Sequence, residues 1–486
     1  MKRIPSILFL LSFGWLVSCQ YTFPEAPVLA PDSGEADFSK MITIGSSITA
    51  GVMDGALYNR SQQNSFAVIL AEQMKAAGGG AFNVPDIDAE VGSFILSPPG
   101  QLLGRLILRV NGGSITPEPI VPGNPIGPFT GDKSSINNFG VNGISLAGAL
   151  FPEAGDSGNP NHPLFNPHYA RFASNPGTST LVGDAAAALA DGGTFFVFWL
   201  GKNDVLPFAI AGGAVPELLT DDQDFLQAYQ TALGAMLRAN PEANGAVGNI
   251  PDLNSLPFFS TVPWNALPLS SALASLANGA YTQYNQVLDG VQQSGLLSES
   301  EKDLRQITFT AGQNGFVIED KTLTDLRELG IPSIRLTNAQ DKVSLTAAQV
   351  LGQVVGGNAS AIQGVTIPLG DQFVLLPSEQ ALLAEKIDTF NQIIQSAVAL
   401  EPDRLVLVDV RDLMNRVAEG TVNAGTVPLS NSIIPPNGGF STDGIHPNAR
   451  ANAFLANHFI EAINQKWGST IPLANPNAYM GNDLPR

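Results

Sequence analysis

Ser47 lies in Gly45-Ser46-Ser47-Ile48-Thr49-Ala50-Gly51, directly after the short apolar, β-branched run Met41 to Ile44. A serine on a strand-to-helix turn projects its hydroxyl from the carboxyl end of a sheet, where ligands of open α/β folds bind. The helix that follows offers peptide N–H groups to a developing oxyanion. Gly-Ser-Ser also serves as a plain turn or helix cap, so the serine alone decides nothing. Its possible partners stand near the other end of the chain, in Asp443-Gly444-Ile445-His446-Pro447. A spacing of three in a glycine-containing turn lets the Asp443 carboxylate reach Nδ1 of His446. That fixes the imidazole tautomer and leaves Nε2 free to take a serine proton. One loop then supplies base and orienter for nucleophilic attack by a hydroxyl.

The chain has only four histidines, His162, His168, His446 and His458. The first two fall in a Pro- and Asn-rich loop and the last within the closing helical pattern, so loop and helix-surface roles are expected for them. A tetrahedral oxyanion also needs donors. Asn203, in Gly201-Lys202-Asn203-Asp204, offers a side-chain amide, and Gly143, in Val141-Asn142-Gly143-Ile144-Ser145, offers a peptide N–H with no side chain in the way. Each is equally readable as a turn residue, and Gly140 competes with Gly143. Asp86 and Asp88, and the cluster Asp221, Asp222 and Asp224, lack accompanying ligands and read as turn and helix-start residues rather than a metal site. Gly78-Gly79-Gly80 lacks the Lys-Ser/Thr of a phosphate loop.

These residues need a frame. Thr194 to Leu200 holds Phe195, Phe196, Val197, Phe198 and Trp199 in succession, a doubly apolar strand suited to a parallel sheet covered on both faces. Leu405 to Val410 is a further strand, preceded by a helical pattern from about 378 to 400. Weaker strands are expected at Phe139 to Val141 and Gly245 to Ile250. Helical periods also run from Phe66 to Met74, from about 222 to 237, and from Ala449 to Ile463. This alternation predicts one open, doubly wound α/β domain over 38–470, its mainly parallel sheet flanked by helices. The Gly- and Pro-rich span 91–133 and the segment 294–371 break the alternation and read as insertions around the mouth of the sheet; 471–486 reads as a C-terminal tail. Leu256 to Leu269, rich in apolar residues and proline, either packs in the core or lines an acyl or aromatic pocket.

Composition narrows the field. Of 486 residues 44% are hydrophobic and 14% charged, against about 25% charged in ordinary domains, which excludes disorder and coiled coil. A net charge of −19 repels phosphate backbones and anionic surfaces, so nucleic acid is not an expected partner. The single cysteine, Cys19, excludes disulfide, zinc-thiolate and catalytic-thiol schemes in the folded body. Lys2 and Arg3, then an apolar stretch to Val17, then Leu16-Val17-Ser18-Cys19 have the layout of a secretory signal. The last four residues resemble the lipobox of bacterial lipoproteins. This implies a signal peptide over 1–18, a lipidated Cys19, a tether over 19–37, and a membrane partner reached through the lipid anchor. With Gln20 after the cysteine, the resemblance favours the outer membrane of the cell envelope.

Taken in order, the four blocks around Ser47, Gly143, Asn203 and Asp443/His446 resemble the SGNH, or GDSL-type, serine esterases and lipases. The resemblance covers most of the chain outside the insertions and implies a flavodoxin-like architecture. It further implies Ser47 as nucleophile, Asp443 and His446 as the rest of a triad, and an oxyanion hole of the Ser47 and Gly143 N–H groups with the Asn203 amide. Where the family usually has Asp before the serine, this chain has Ser46, so altered local hydrogen bonding is expected there. The implied reaction is acyl transfer from a small-molecule or lipid ester through an acyl-enzyme, with no metal or cofactor. The rival expectation is a substrate- or glycan-binding envelope lipoprotein that keeps the fold without turnover.

Overall fold

The structure, a computed structural model, describes residues 30–98, 100–111, 114–424 and 427–486; the expected signal peptide, Cys19 and the expected tether as far as residue 29 lie outside the described residues. Five strands form the central sheet: β1 (Met41–Gly45), β2 (Asn138–Gly140), β3 (Phe195–Trp199), β4 (Asn244–Gly248) and β5 (Leu405–Val408). All pairings are parallel, in the spatial order β5-β4-β3-β1-β2. Read from the other edge this is 2-1-3-4-5, the doubly wound order in which the chain reverses between β1 and β3 and ligands sit at that switch point. The predicted α/β class, all five strands and the parallel sheet are what the structure has.

The helices that cover the sheet explain why β3 is apolar throughout. The helices are α1 (Ser47–Ala50), α2 (Phe66–Met74), α3 (Leu181–Ala190), α4 (Asp222–Ala239), α5 (Ser271–Gln293), α6 (Pro377–Ala399) and α7 (Ala449–Trp467), of which α5 packs on the strand Leu267–Leu269 instead of on the central sheet. Successive β3 side chains point to opposite faces. Phe195 meets Trp467 of α7, and Trp199 meets Phe66 of α2 and Phe459 of α7, with ring centroids 5.4 to 5.9 Å apart. Phe198 points the other way, to Tyr229 of α4 at 5.4 Å, and Phe225 of α4 stacks on Phe390 of α6 at 3.7 Å. Helices α2 and α7 thus share one face, and α3, α4 and α6 pack together on the other. Each such aromatic pair contributes about 0.5–1.5 kcal/mol beyond area burial.

The span 91–133 contains an antiparallel hairpin, Leu106–Asn111 with Ser114–Pro119. The second irregular region begins before residue 294, because Leu267–Leu269 pairs with Gly312–Asn314 and α5 lies between them. It holds a buried ion cluster, Arg335 with Asp320 at 2.5 Å and with Asp341 at 2.7 Å. The last residue pairs with the hairpin, the Arg486 N–H donating to the Leu108 carbonyl. No helix among the described residues is long and apolar enough to cross a membrane.

Candidate active site

Ser47 opens α1, two residues beyond β1. The turn is tight: a Cβ on Gly45 would lie 2.1 Å from Thr49 Oγ1 and 2.9 Å from the Trp199 carbonyl, so only glycine fits. Gly51, at φ +92°, closes the single turn by donating its N–H to the Ser47 carbonyl at 3.0 Å. Ser46 precedes α1 without making a side-chain cap. On the neighbouring strand, a Cβ on Gly140 would sit 2.3 Å from the Ala50 nitrogen, so this glycine lets β2 lie against the Ser47 turn.

His446 and Asp443 occupy the loop leading into α7. The Ser441 N–H donates to the His446 carbonyl, closing the loop on itself, and Asn448 caps α7 through the Ala451 N–H. Nε2 of His446 is 2.9 Å from Ser47 Oγ, and its Nδ1 is 2.8 Å from Asp443 Oδ2, although serine and histidine are 399 positions apart. All three residues are buried. Asp443 accepts further bonds from the peptide N–H groups of Gly55 at 2.6 Å, Ile445 at 2.8 Å and His446 at 2.9 Å. Burial pushes its carboxyl up, but the His446 ring and the surrounding N–H donors outweigh this and hold it at about 2.

A second carboxylate, Asp54, braces this loop. It sits at φ +55°, accepts from the Thr442 N–H at 3.0 Å and the Thr442 hydroxyl at 2.8 Å, and accepts from the Tyr58 hydroxyl at 2.6 Å. The Asp54 N–H donates to Ser441 Oγ. A strained backbone held by that many bonds fixes Gly55, and through it Asp443. Sequence reading missed Asp54, because the partners that tie it to this loop, Ser441 and Thr442, lie 387 and 388 positions away.

Gly143 lies three residues past Gly140, which is in register with Gly45 of β1, so it shares an edge with Ser47. Its φ is +73°, a Cβ there would meet nothing within 4 Å, and its N–H finds no acceptor among the described residues. By contrast, the Gly140 N–H donates to Asn138 Oδ1 at 2.8 Å. Asn203 donates one amide hydrogen to the Ile144 carbonyl at 2.9 Å, which ties its turn to the Gly143 loop and leaves a second hydrogen. Asp204 completes the tie by accepting from the Leu146 N–H and the Thr220 hydroxyl. Burial pushes the Asp204 carboxyl up to about 7 against those two donors.

Lys202 is the neighbour that motif reading passed over. Its residue is 4% exposed and its Nζ is 3.4 Å from Ser47 Oγ. Burial pulls the ammonium down to about 8, against the attraction of Asp443. The only signal in the sequence was a lysine directly behind the most apolar strand.

Two cavities adjoin the site. One of about 60 Å³ is almost wholly apolar, lined by Ile48, Trp199, Lys202, Leu256, Ile445 and Phe454 among others. One of about 400 Å³ lies where both irregular regions meet the Asp443–His446 loop, with Phe94, Thr116, Phe258, Leu345, Asp443 and Ile445 in its wall. In the apolar segment after β4, Leu256, Phe258, Phe259 and Val262 are all buried in the main core, and Leu256 and Phe258 also line the two cavities. His162 and His458 are half-buried, accepting from the Leu164 N–H and bonding the Asp409 carbonyl respectively. His168 departs from the expected surface role. It is buried beside Asn142 at 3.3 Å, and burial, with Arg171 nearby, lowers it to about 4. Asp221 caps α4 through the Gln223 N–H, and among the described residues no group of three His, Cys, Asp or Glu could hold a metal ion.

No family model and no curated protein matches the chain. Among solved structures it is similar to one described as "Peptidoglycan O-acetylesterase in action, 5 min", at 15% identity over 46% of this chain and 71% of that one, with a TM-score of 0.21. A likeness at that score carries no argument about fold or function. The class is defined by the geometry: an α/β sheet with a serine, a histidine and an aspartate in hydrogen-bonded series at its carboxyl edge.

Proposed function

We propose that this chain is an SGNH-type serine hydrolase that cleaves carboxylic esters. The observation that carries the reading is the unbroken series Asp443 to His446 to Ser47, at 2.8 and 2.9 Å. His446 takes the Ser47 proton as Oγ bonds to the ester carbon, and the carbonyl electron pair moves onto oxygen. The anion is met by the peptide N–H groups of Ser47 and Gly143 and by the free amide hydrogen of Asn203, Gly143 being a better donor than Gly140, whose N–H is occupied. Asp443 stays ionised and stabilises the imidazolium without taking its proton. The imidazolium then protonates the departing alkoxide. Water, deprotonated by the same nitrogen, hydrolyses the acyl-Ser47 ester. Nothing in this sequence of steps calls for a metal or nucleotide.

Wild type should hydrolyse p-nitrophenyl acetate, and Ser47→Ala or His446→Ala should lower kcat/KM by roughly 10⁴- to 10⁶-fold. Equal rates for wild type and Ser47→Ala would contradict the assignment and leave the binding lipoprotein as the better reading. Cys19, outside the described residues, is proposed as the lipid-attachment site holding the enzyme to the cell envelope. Metabolic labelling with an alkynyl fatty acid should mark wild type and not Cys19→Ser, and equal labelling would sink that proposal.

A further inference from the structure

A buried cation normally has an anionic partner within salt-bridge distance, because taking an ammonium out of water costs several kcal/mol even after relaxation. Lys202 has none within 4 Å among the described residues, and its Nζ has a single hydrogen-bond partner, Ser47 Oγ. Its stem lies along the apolar cavity beside Ile48 and Trp199. Its place is imposed by the backbone: Gly201, at φ +109°, turns the chain sharply after β3, and Asn203 and Asp204 are tied to the loop that carries Gly143. The same turn therefore carries the ammonium that meets Ser47 and the Asn203 amide proposed above for the oxyanion.

Resting on the ester-hydrolase reading, we propose that Lys202 is a further catalytic residue, its ammonium supplying positive charge to the tetrahedral anion formed when Ser47 attacks the ester. Lys202 keeps its proton throughout. The Ser47 proton goes to His446, the new bond is Oγ to carbon, and the displaced π pair on the substrate oxygen is the charge that the ammonium attracts. A cation held in place before reaction, in a site poor in water, stabilises developing charge far better than one in solvent. The ionisable groups facing it are His446, which shares the Ser47 hydroxyl, and Asp443 behind it. Asp204, on its own turn, is bonded away to Leu146 and Thr220. With the ammonium lowered to about 8, activity falls as alkali removes this proton, giving a descending limb near that pH.

The test is the pH profile of kcat/KM for p-nitrophenyl acetate hydrolysis by wild type, Ser47→Ala, Lys202→Met and Lys202→Arg, with thermal unfolding of each. Lys202→Met should lose on the order of 10²- to 10³-fold at neutral pH and should lack the alkaline limb, while its unfolding midpoint does not fall. The midpoint holds because a buried charge without a counterion opposes folding below the pKa of the ordinary lysine. Lys202→Arg should carry the plateau beyond the wild-type limb. A Lys202→Met enzyme within about threefold of wild type, or one that keeps the alkaline limb, overturns the proposal while the hydrolase reading stands. If Lys202→Met does not fold, an unmoved limb in Lys202→Arg overturns it. Wild type no faster than Ser47→Ala would instead remove the hydrolase reading, and this role with it.

Discussion

Asp443 accepts three peptide N–H bonds besides the histidine ring, so its side chain is held before any substrate arrives. Asp443→Asn keeps the shape but offers the wrong group to Nδ1, and should lower kcat by about 10³- to 10⁴-fold with little change in KM. A loss below tenfold would mean that His446 is oriented by something else. The same residue links function to acid stability. Its folded value lies below the ordinary 3.8, so the unfolded chain binds more protons across that interval. Asp443 therefore stabilises the fold at neutral pH, and this contribution is lost as pH falls through about 4 toward about 2. Ser47, Asp443 and His446 were legible as candidates because their spacing and position follow local rules of turns and strand ends. Asp54 and Lys202 were not, since a lone aspartate or lysine acquires meaning only from neighbours supplied by the fold.

Glycines set how closely the elements carrying these residues approach. Gly140→Ala places a methyl 2.3 Å from the backbone of α1, where no side chain can move aside. It should cost about 3 kcal/mol or more and displace Ser47, lowering stability and activity together. Gly143→Ala has open space and only the left-handed backbone to strain, about 1–2 kcal/mol. Urea unfolding of both variants checks the ranking, and equal losses would contradict it. At this scale the sequence was most informative for β3, whose apolar run needs two covered faces, and for α6 and α7, whose large apolar residues recur at helical spacing. It was least informative for α5. Three of its buried positions, Ala274, Ala277 and Tyr281, are small or part-polar, so its period is faint and the second irregular region was expected to begin later than it does.

The meeting of the two ends is a property of the whole molecule. Closing a loop of 399 residues carries an entropic cost that rises only slowly with length, and one hydrogen bond does not offset it. The packing of α2 on α7 does: Phe66 and Phe459, 5.0 Å apart, join the helix that follows Ser47 to the helix that follows His446. Sequence patterns showed both helices as apolar but did not show that they share a face. Nor did they show that the two irregular regions converge on a cavity beside Asp443. In a molecule built this way one serine, Ser47, and no other should be activated. The direct measurement is reaction with a fluorophosphonate followed by peptide mass spectrometry. The predicted result is a single adduct on Ser47 that His446→Ala abolishes; no adduct, or an adduct on another serine that His446→Ala leaves unchanged, would contradict it.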